Sequence, residues 1–478
     1  MELLYETLAA ELNASITRGV LRPGDRLPSV RLLARQRRVS VATVLQAYLR
    51  LENQGVIEVR PKSGHYVRTR RALELAEPRT SRRAASPAKV QVSTGVAALS
   101  ASMRDPAVVP LGSALLSPDL LPIRALNRML AGIAREVSTA GATYESGPGL
   151  LTLRRQLARR SVTWGMSLAA DDFVTTNGAV EALHLALRAV AKPGDAIAVE
   201  SPTYFGVLQL IEELGLKAVE VPTNPRSGFE LDALEQVIRS TPSLKAVLAM
   251  PTVSNPIGCV MPDDAKEKLV KLVTKYGLDL IEDDAYGELV FDSPRPRPAR
   301  AWDREGRVLF CGSISKTLAP GYRVGWIAPG RHMQRIEQLK FAFTVASPTL
   351  PQLAVAEFLA SGGYDRHLRR LRATLRGQVD RVREAIAESF PAGTRVTAPS
   401  GGFVLWVELP QGADALELQS RALARGIALA PGPIFSARGR FAHCLRLSCG
   451  FPWSPRIAAA VATVGELATA QLARRRSA

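Results

Sequence analysis

The amino-acid sequence predicts a multidomain protein in which a small helical domain with a β-hairpin precedes a large α/β domain and a smaller α+β lobe. Three observations support this fold class. A chain of 478 residues is too long for one ordinary core. The first residues show helical periodicity and an excess of basic charge, whereas apolar strands later alternate with helices. We therefore divide the chain into residues 1–68, a linker at 69–108, and residues 109–478, with the smaller lobe starting at about residue 350.

Composition and charge limit the class of protein. The net charge of +18 suggests a polyanionic partner, and residues 1–71 hold 13 Lys and Arg against 6 Asp and Glu. No uncharged apolar run approaches the roughly 20 residues of a membrane span, and the N-terminal MELLYETLAAEL lacks the features of a secretory signal. Neither the four cysteines nor the five histidines have metal-ligand spacing. We expect a cytoplasmic protein with no metal site and no membrane contact.

The first 68 residues predict three helices and a hairpin. Apolar residues recur every four positions from Leu4 to Ile16, Ser29 opens a second helix after a turn, and Ser40 caps a third that Gly55 ends. The segments VIEV and HYV alternate around RPKSG, which is typical of a short hairpin. This arrangement indicates a winged helix-turn-helix, whose third helix enters the DNA major groove. A helical bundle with solvated arginines is the alternative that the pattern alone leaves open.

The run GDRLPSVRLLARQRRVSVATVLQAYLRLENQGVIEVRPKSGHYV resembles the GntR-type DNA-binding domain along its whole length. The resemblance implies that the domain binds double-stranded DNA. The contact residues it implies are Arg31, Thr43, Lys62, Ser63 and Gly64. Val41 and Ala42 stand where the family commonly has an arginine, and neither can donate a hydrogen bond to a guanine. We therefore expect base readout by Gln46 or Arg50.

The segment between the two domains lacks sustained periodicity and is rich in Arg, Ala and Ser. This composition predicts a mobile basic tether with at most one helical turn near Leu73. A solvated linker is favoured over a segment that also contacts DNA.

The large domain has polar residues just past several apolar strands, such as AIAVES, AVLAMP and DLIEDDAY. The carboxyl ends of parallel strands form the ligand site of such sheets. Pyridoxal phosphate would use this set of residues, because its aldehyde needs a lysine and its ring nitrogen a carboxylate, while its phosphate needs hydroxyls, amides and an arginine. Each signal is weak alone, and the ordered set supports the prediction.

From about Leu111 onward the chain, with SISKTLAPGYRVGW as its most specific motif, resembles the fold-type I, class I/II aminotransferases. The resemblance implies that Lys316 forms a Schiff base with pyridoxal phosphate and acts as acid and base, and that Asp283 pairs with the ring nitrogen. Its further cofactor contacts would be Tyr286, Asn255, Tyr204, Gly178, Ala179, Ser313, Ser315 and Arg323. Tyr144 would reach the phosphate of the neighbouring subunit in a homodimer, and Arg446 would bind a substrate α-carboxylate.

A GntR-type domain joined to a whole aminotransferase-like domain resembles the MocR subgroup of transcription regulators. The resemblance implies a dimeric DNA-binding regulator that binds pyridoxal phosphate through Lys316 and senses an amino compound. An active aminotransferase acting on an α-amino acid, with an attached DNA-binding domain, is the alternative. A third hypothesis makes the large domain a dimerisation scaffold. A looser match in LGSALLSPDLLP suggests Gly112 as a substrate-site residue.

Overall fold

The computed structural model describes residues 4–53, 55–60, 63–68, 75–81, 86–137, 142–145, 147–292 and 294–477. Within these ranges no helix combines the length and the apolar character needed to cross a bilayer. The same ranges hold no group of three or more side chains suited to binding a metal ion.

The N-terminal domain is a winged helix-turn-helix. Its elements are α1 (Leu4–Thr17), α2 (Val30–Arg37), α3 (Val41–Asn53), β1 (Ile57–Arg60) and β2 (Gly64–Val67). Leu8, Leu33 and Tyr48 meet in its core, whereas Leu4 is 68% exposed and lies outside it. The Ser40 hydroxyl accepts a hydrogen bond from the Thr43 amide at 3.0 Å and caps α3, as predicted. The two strands pair antiparallel and form the wing.

The remaining elements form a large α/β domain and a smaller lobe. The strands are β3 (Ala88–Lys89), β4 (Val174–Thr176), β5 (Ala196–Ser201), β6 (Lys217–Asn224), β7 (Gly228–Phe229), β8 (Leu244–Ala249), β9 (Asp279–Asp283), β10 (Val308–Ser313), β11 (Gly325–Ala328), β12 (Arg395–Val396), β13 (Val404–Glu408), β14 (Ala430–Pro431) and β15 (Cys444–Ser448). The helices are α4 (Ser93–Ser102), α5 (Ile123–Glu136), α6 (Leu151–Thr163), α7 (Ala179–Val190), α8 (Phe205–Glu213), α9 (Leu231–Ser240), α10 (Asp263–Lys275), α11 (Met333–Thr344), α12 (Thr349–Ala360), α13 (Gly363–Ser389), α14 (Ala415–Leu423) and α15 (Pro455–Ser477).

The sheet of the large domain runs in the order β3-β6-β5-β8-β9-β10-β11-β4, with β7 beside β6. Strands β6, β5, β8, β9 and β10 are parallel, and β11 is antiparallel to both of its neighbours. The strand interiors are buried on both faces, which explains their continuous apolar runs. The carboxyl ends of these parallel strands therefore meet at one edge, where the predicted ligand residues follow them.

The prediction of an unstructured tether at residues 69–108 is wrong for residues 88–102. Strand β3 pairs with β6 at the edge of the large sheet, and α4 buries Val96 and Leu99 in the core beneath it. The Glu212 carboxylate accepts hydrogen bonds from the Val92 amide at 2.9 Å and the Ser93 hydroxyl at 2.9 Å. A short helix that buries only Val96 and Leu99 shows too little apolar periodicity to be recognised in the sequence. The predicted turn near Leu73 lies outside the described residues.

The smaller lobe is a four-stranded antiparallel sheet, ordered β12-β13-β15-β14, covered by α13, α14 and α15. Its core begins in α13 at Leu371, later than the predicted residue 350, because α12 packs against α5 and α6 of the large domain. Helix α13 spans the junction, with Tyr364 in the core of the large domain and Leu375 in that of the lobe. Val109 and Leu111 also belong to the lobe, although they precede the large domain in the sequence.

Candidate functional site

The predicted ligand residues meet at the carboxyl edge of the large sheet. Asp283 is the last residue of β9, and Ser313 is the last residue of β10 and leads into the loop of Lys316. Asn255 follows β8, and Tyr204 follows β5 at the start of α8. Because these strands are parallel neighbours, residues far apart in the sequence arrive at one place.

Lys316 lies in this cluster with its amine held by the main chain. Its Nζ donates a hydrogen bond to the Ala114 carbonyl at 2.8 Å and lies 5.7 Å from the centre of the Tyr286 ring. Burial lowers the pKa of Lys316 to about 8. The nearby positive charges of Arg446 and Arg323 also lower this pKa, whereas the negative charge of Asp283 opposes the shift. A lysine with this pKa holds a useful fraction of neutral, nucleophilic amine near neutral pH.

Asp283 provides a buried carboxylate in the same cluster. Its side chain is 2% exposed and accepts a hydrogen bond from the Ala285 amide at 3.0 Å. Burial raises the pKa of Asp283 to about 6, with a smaller effect from Asp284, while the Ala285 amide and Lys316 oppose the rise. The group therefore stays mostly ionised above pH 7 and can pair with a protonated ring nitrogen.

An anion-binding cradle lies at the start of α7. Gly178 has φ of +82° and leaves the first amides of α7 open, and a Cβ atom at this position would overlap the Arg323 guanidinium. Arg323 donates to the Asn177 carbonyl at 2.8 Å and to the Ser315 hydroxyl at 3.5 Å. The Ser315 amide in turn donates to the Ser313 hydroxyl at 3.4 Å. Hydroxyls, helix amides and a guanidinium thus converge as a phosphate requires. Ala179, the first residue of α7, is buried beside this cradle.

Arg446 is the most enclosed cation of the site. It is 1% exposed and packs against the rings of Phe205 and Phe435, at 5.4 and 5.1 Å from their centres. Its Nη2 donates to the Gly112 carbonyl at 2.7 Å and its Nη1 to Asn255 Oδ1 at 3.1 Å. Its Nε is buried without a hydrogen-bond partner among the described residues. A buried guanidinium with a donor to spare is suited to a carboxylate ligand.

Asn255 links Arg446 to the aromatic side of the site. Its Nδ2 donates to the Tyr286 hydroxyl at 3.4 Å, which completes a chain from the guanidinium to the phenol. Burial raises the pKa of both Tyr286 and Tyr204, so both hydroxyls remain protonated donors at neutral pH. Tyr204 packs against Phe205 at 4.9 Å between ring centres.

Tyr144 lies apart from these groups on the surface of the chain. Its side chain is 81% exposed and borders a cavity of about 530 Å³ lined by residues 142–145 and 346–351. An exposed tyrosine is available to a second subunit. Its role at a neighbouring phosphate stays a prediction.

Some of the predicted DNA-contact residues are exposed, and others form hydrogen bonds within the N-terminal domain. Arg31 and Gln46 are exposed, and Thr43 bonds to the Ser40 hydroxyl at 2.8 Å at the start of α3. At the wing, the Ser63 hydroxyl bonds to that of Tyr66 at 2.7 Å. Gly64 adopts φ of +115°, as a wing turn requires. Lys62 lies outside the described residues.

Arg50 does not fit its predicted role in base readout. Its Nη1 forms an ion pair with Glu6 Oε1 of α1 at 2.6 Å, and the two side chains are 25% and 18% exposed. This partly buried pair ties the guanidinium to α1, which favours a structural role. The two residues are 44 positions apart, and nothing in the local pattern could reveal the contact.

Three groups near Lys316 were missed by sequence reasoning. The main-chain carbonyl of Ala114 has no sequence signature. Phe435 beside Arg446 lies in a short turn that the pattern did not single out. Glu200 at the end of β5 is buried, accepts from the Met250 amide at 3.2 Å, and has its pKa raised to about 8 by burial. A glutamate inside the apolar run AIAVES was the one available signal.

Both the N-terminal domain and the remainder of the chain match models of known protein families. Residues 115–453 match the family model for aminotransferase class I and II, and residues 4–67 match that for bacterial regulatory proteins of the gntR family. The HTH-type transcriptional regulator YdcR of Escherichia coli is 39% identical over 467 residues, which cover 97% of this chain and 98% of that protein. Aromatic-amino-acid aminotransferase 1 of Thermococcus litoralis is 30% identical over 347 residues, covering 71% of this chain and 83% of that protein.

Among solved structures, the α-aminoadipate aminotransferase LysN of Thermus thermophilus resembles the large domain and the smaller lobe. The two structures superpose with a TM-score of 0.72 at 29% identity, over 80% of this chain and 100% of LysN. That protein was solved with N-(5′-phosphopyridoxyl)-L-leucine.

Proposed function

The chain belongs to the class I and II aminotransferase family and carries an N-terminal domain of the gntR regulatory family, and we propose that it is a transcription regulator whose large domain senses an amino compound. Its membership confirms the predicted fold class, a winged helix-turn-helix followed by a fold-type I transferase domain. The order of the domains matches the predicted MocR-type architecture, and the cofactor of the family is pyridoxal phosphate.

The residues around Lys316 fit this cofactor. A Cβ at Gly178 would fill the cradle, and the donors that converge there are those that a phosphate takes. When bound, pyridoxal phosphate would supply an aldehyde that condenses with amines and a ring that withdraws electrons from the adduct. Lys316 would hold the aldehyde, Asp283 would keep the ring nitrogen protonated, and Tyr286 with Asn255 would donate hydrogen bonds to the ring oxygen.

Arg446 defines the class of effector in this proposal. A buried guanidinium whose Nε has no partner in the described part of the chain, and which Asn255 links to the ring side of the site, would bind a carboxylate. Lys316 lies close enough for its pKa to respond to Arg446. A small molecule with an amine for the aldehyde that Lys316 would hold, and a carboxylate for Arg446, would therefore fit the site, as an α-amino acid does.

The N-terminal domain would bind double-stranded DNA through the start of α3 and the wing. We propose contacts by Arg31, Thr43, Gln46, Ser63 and Gly64, and Lys62 remains a candidate from the sequence alone. A homodimer would present two such domains to a two-fold symmetric site and would bring Tyr144 to its partner's phosphate. Effector binding would regulate DNA affinity only if it favours one arrangement of the domains over another.

One observation supports the proposal above all: the chain that brings Lys316 and the buried Asp283 together also carries a well-packed winged helix-turn-helix. The test is the visible absorption of the purified protein before and after addition of amino acids, with keto acid formation followed in parallel. A lasting spectral change without keto acid supports a sensor. A spectrum without a cofactor band, or a band that survives Lys316→Ala unchanged, would refute the cofactor site.

An active aminotransferase is the second candidate. The presence of Arg446 beside Lys316 and Asp283 favours it, because a pure scaffold needs none of these buried charges. Repeated turnover of an amino acid with a keto acid in the same absorption experiment would support the enzyme. The proposed sensor predicts a spectral change without formation of keto acid.

A further inference from the structure

Helix α13 contacts both the lysine loop and the DNA-binding domain. It is 27 residues long, and its contacts fall into three successive stretches. The distance from Tyr364 to Glu384 along a helix is about 30 Å. A single rigid element therefore spans the path from the candidate site to the N-terminal domain.

The first stretch of α13 forms hydrogen bonds to Thr317, the residue that follows Lys316. The Tyr364 hydroxyl bonds to the Thr317 hydroxyl at 3.0 Å, and His367 Nε2 donates to the Thr317 carbonyl at 2.7 Å. Both the side chain and the main chain of Thr317 are thus tied to α13. Tyr364 is 3% exposed, so this contact is shielded from water. A shift of the Lys316 loop cannot occur without disturbing α13 or breaking these bonds.

The second stretch holds the segment that follows Asp283. Arg372 donates through Nε to the Glu288 carbonyl at 2.6 Å and through Nη2 to the Glu288 carboxylate at 3.1 Å. Glu288 also pairs with Arg160 of α6 at 2.6 Å. Arg376, one turn further on, pairs with Asp292. The largely buried bonds of Glu288, with the exposed Arg376–Asp292 pair beside them, fix α13 to the segment that follows Asp283 and Tyr286.

The third stretch supports the C-terminal end of α3. Arg381 donates to the Glu52 carbonyl in the last turn of α3, and to the Ile57 carbonyl at 3.4 Å. Arg381 is 7% exposed, and a cation at this end of a helix interacts favourably with its dipole. The turn at Gly55 lies directly on Gly377, where a Cβ built at Gly55 would be 3.5 Å from the Gly377 Cα. Glu384 completes the contact through an ion pair with Arg68.

The docked arrangement also encloses part of the predicted DNA-reading face. Gln46 and Leu49 of α3 border a cleft of about 590 Å³ whose other wall includes Arg366 and His367 of α13. A recognition helix reads bases by entering the major groove, which is about 12 Å wide, so the surroundings of α3 bear on its access to DNA.

We propose that α13 couples the state of the Lys316 loop to the position of the recognition helix, with Arg381 as the positioning residue that holds α3. This inference rests on the proposed function, because it assumes that a ligand acts at Lys316. Binding at Lys316 would change the hold of Thr317 on His367 and Tyr364. The change would then reach α3 through Gly377, Arg381 and Glu384.

Hydrogen exchange of the full-length protein, followed by mass spectrometry with and without pyridoxal phosphate, tests the coupling. Two segments are compared, the lysine loop at residues 313–318 and the end of α3 at residues 48–53. In the wild type we expect both to change when the cofactor is added. In Arg381→Gln the end of α3 should exchange about fivefold faster, the effect of losing one helix cap, and should no longer respond to the cofactor. The lysine loop should respond as before.

A matched control and a second variant separate coupling from general damage. Glu388→Gln removes a charge at an exposed position of α13 that lies outside the described contacts with the lysine loop and α3, and we expect it to behave as the wild type. Glu384→Gln breaks only the pair with Arg68, and should weaken the response of α3 even if Arg381→Gln does not fold. An unchanged α3 response in both variants overturns the coupling. So does a wild-type protein in which the loop responds and α3 does not. A silent lysine loop would instead overturn the proposed function and this inference with it.

Discussion

The pKa of Lys316 makes a quantitative prediction for the capture of pyridoxal phosphate. Burial, aided by Arg446 and Arg323, lowers the pKa of this amine to about 8. The neutral fraction is then about 9% at pH 7 and about half at pH 8, whereas an ordinary lysine would be about 0.03% neutral at pH 7. Since the neutral amine is the nucleophile, the reactive fraction at pH 7 is about 300-fold larger than for an ordinary lysine.

The assay is rapid mixing of the apo-protein with pyridoxal phosphate between pH 6 and 10, followed by visible absorbance. We expect the second-order rate constant to rise about tenfold per pH unit at first and to level off near pH 8, the pKa given by burial. Free Nα-acetyl-lysine, measured in parallel, corrects for the cofactor's own titration. Replacing Arg446 with Met removes one of the positive charges that lower the pKa, so the plateau should move to higher pH.

A rate that continues to climb beyond pH 9, parallel to that of the free lysine derivative, would refute the reasoning. It would mean that the Lys316 amine is solvated like a surface lysine. Loss of capture in Lys316→Ala is the necessary companion result, because another amine could otherwise give the same plateau.

Four further outcomes follow from the structure. Asp283→Asn should weaken cofactor affinity about 10- to 100-fold, the usual effect of losing a hydrogen bond to a charged group, as measured by equilibrium dialysis. Arg446→Lys should keep the cofactor spectrum but require at least about 100-fold more amino acid for a spectral change, because lysine lacks the planar fork, whereas the exposed Arg425→Lys should not. Leu99→Ala should lower the free energy of unfolding by about 2–5 kcal/mol, since Leu99 is fully buried, while Leu416→Ala, at 53% exposed, should change it by less than about 1 kcal/mol. The raised pKa of Glu200, about 8 against an ordinary 4.5, should cost stability progressively as pH rises from about 4.5 to 8, and Glu200→Gln should reduce this loss in thermal unfolding.

The positions of the site residues could be predicted because their geometry follows from topology. Asp283 ends a buried strand, Asn255 and Lys316 follow two others, and parallel strands deliver such residues to one edge. The winged helix-turn-helix was equally accessible, since its cap at Ser40 and its stop at Gly55 are local signals. Local patterns sufficed wherever neighbours in the sequence determine the structure.

Contacts between distant segments could not be predicted in this way. The Arg50–Glu6 pair joins two helices, and α4 acquires its place only through Glu212 and the core of the large sheet. The carbonyls of Gly112 and Ala114 are identical in chemistry to those of any other residue. Tertiary packing, not the local sequence, decides which of them meets a side chain.

Main-chain carbonyls accept hydrogen bonds from both cations of the site, which affects what a mutagenesis screen can detect. Lys316 is held by the Ala114 carbonyl and Arg446 by the Gly112 carbonyl, so neither bond belongs to a side chain. Alanine substitutions in this segment would leave both carbonyl acceptors in place. Gly112 is the exception, because a Cβ there would meet the Leu429 carbonyl carbon at 2.6 Å and move the segment itself. Selection would therefore detect this segment at codon 112, where residues larger than glycine would not be tolerated.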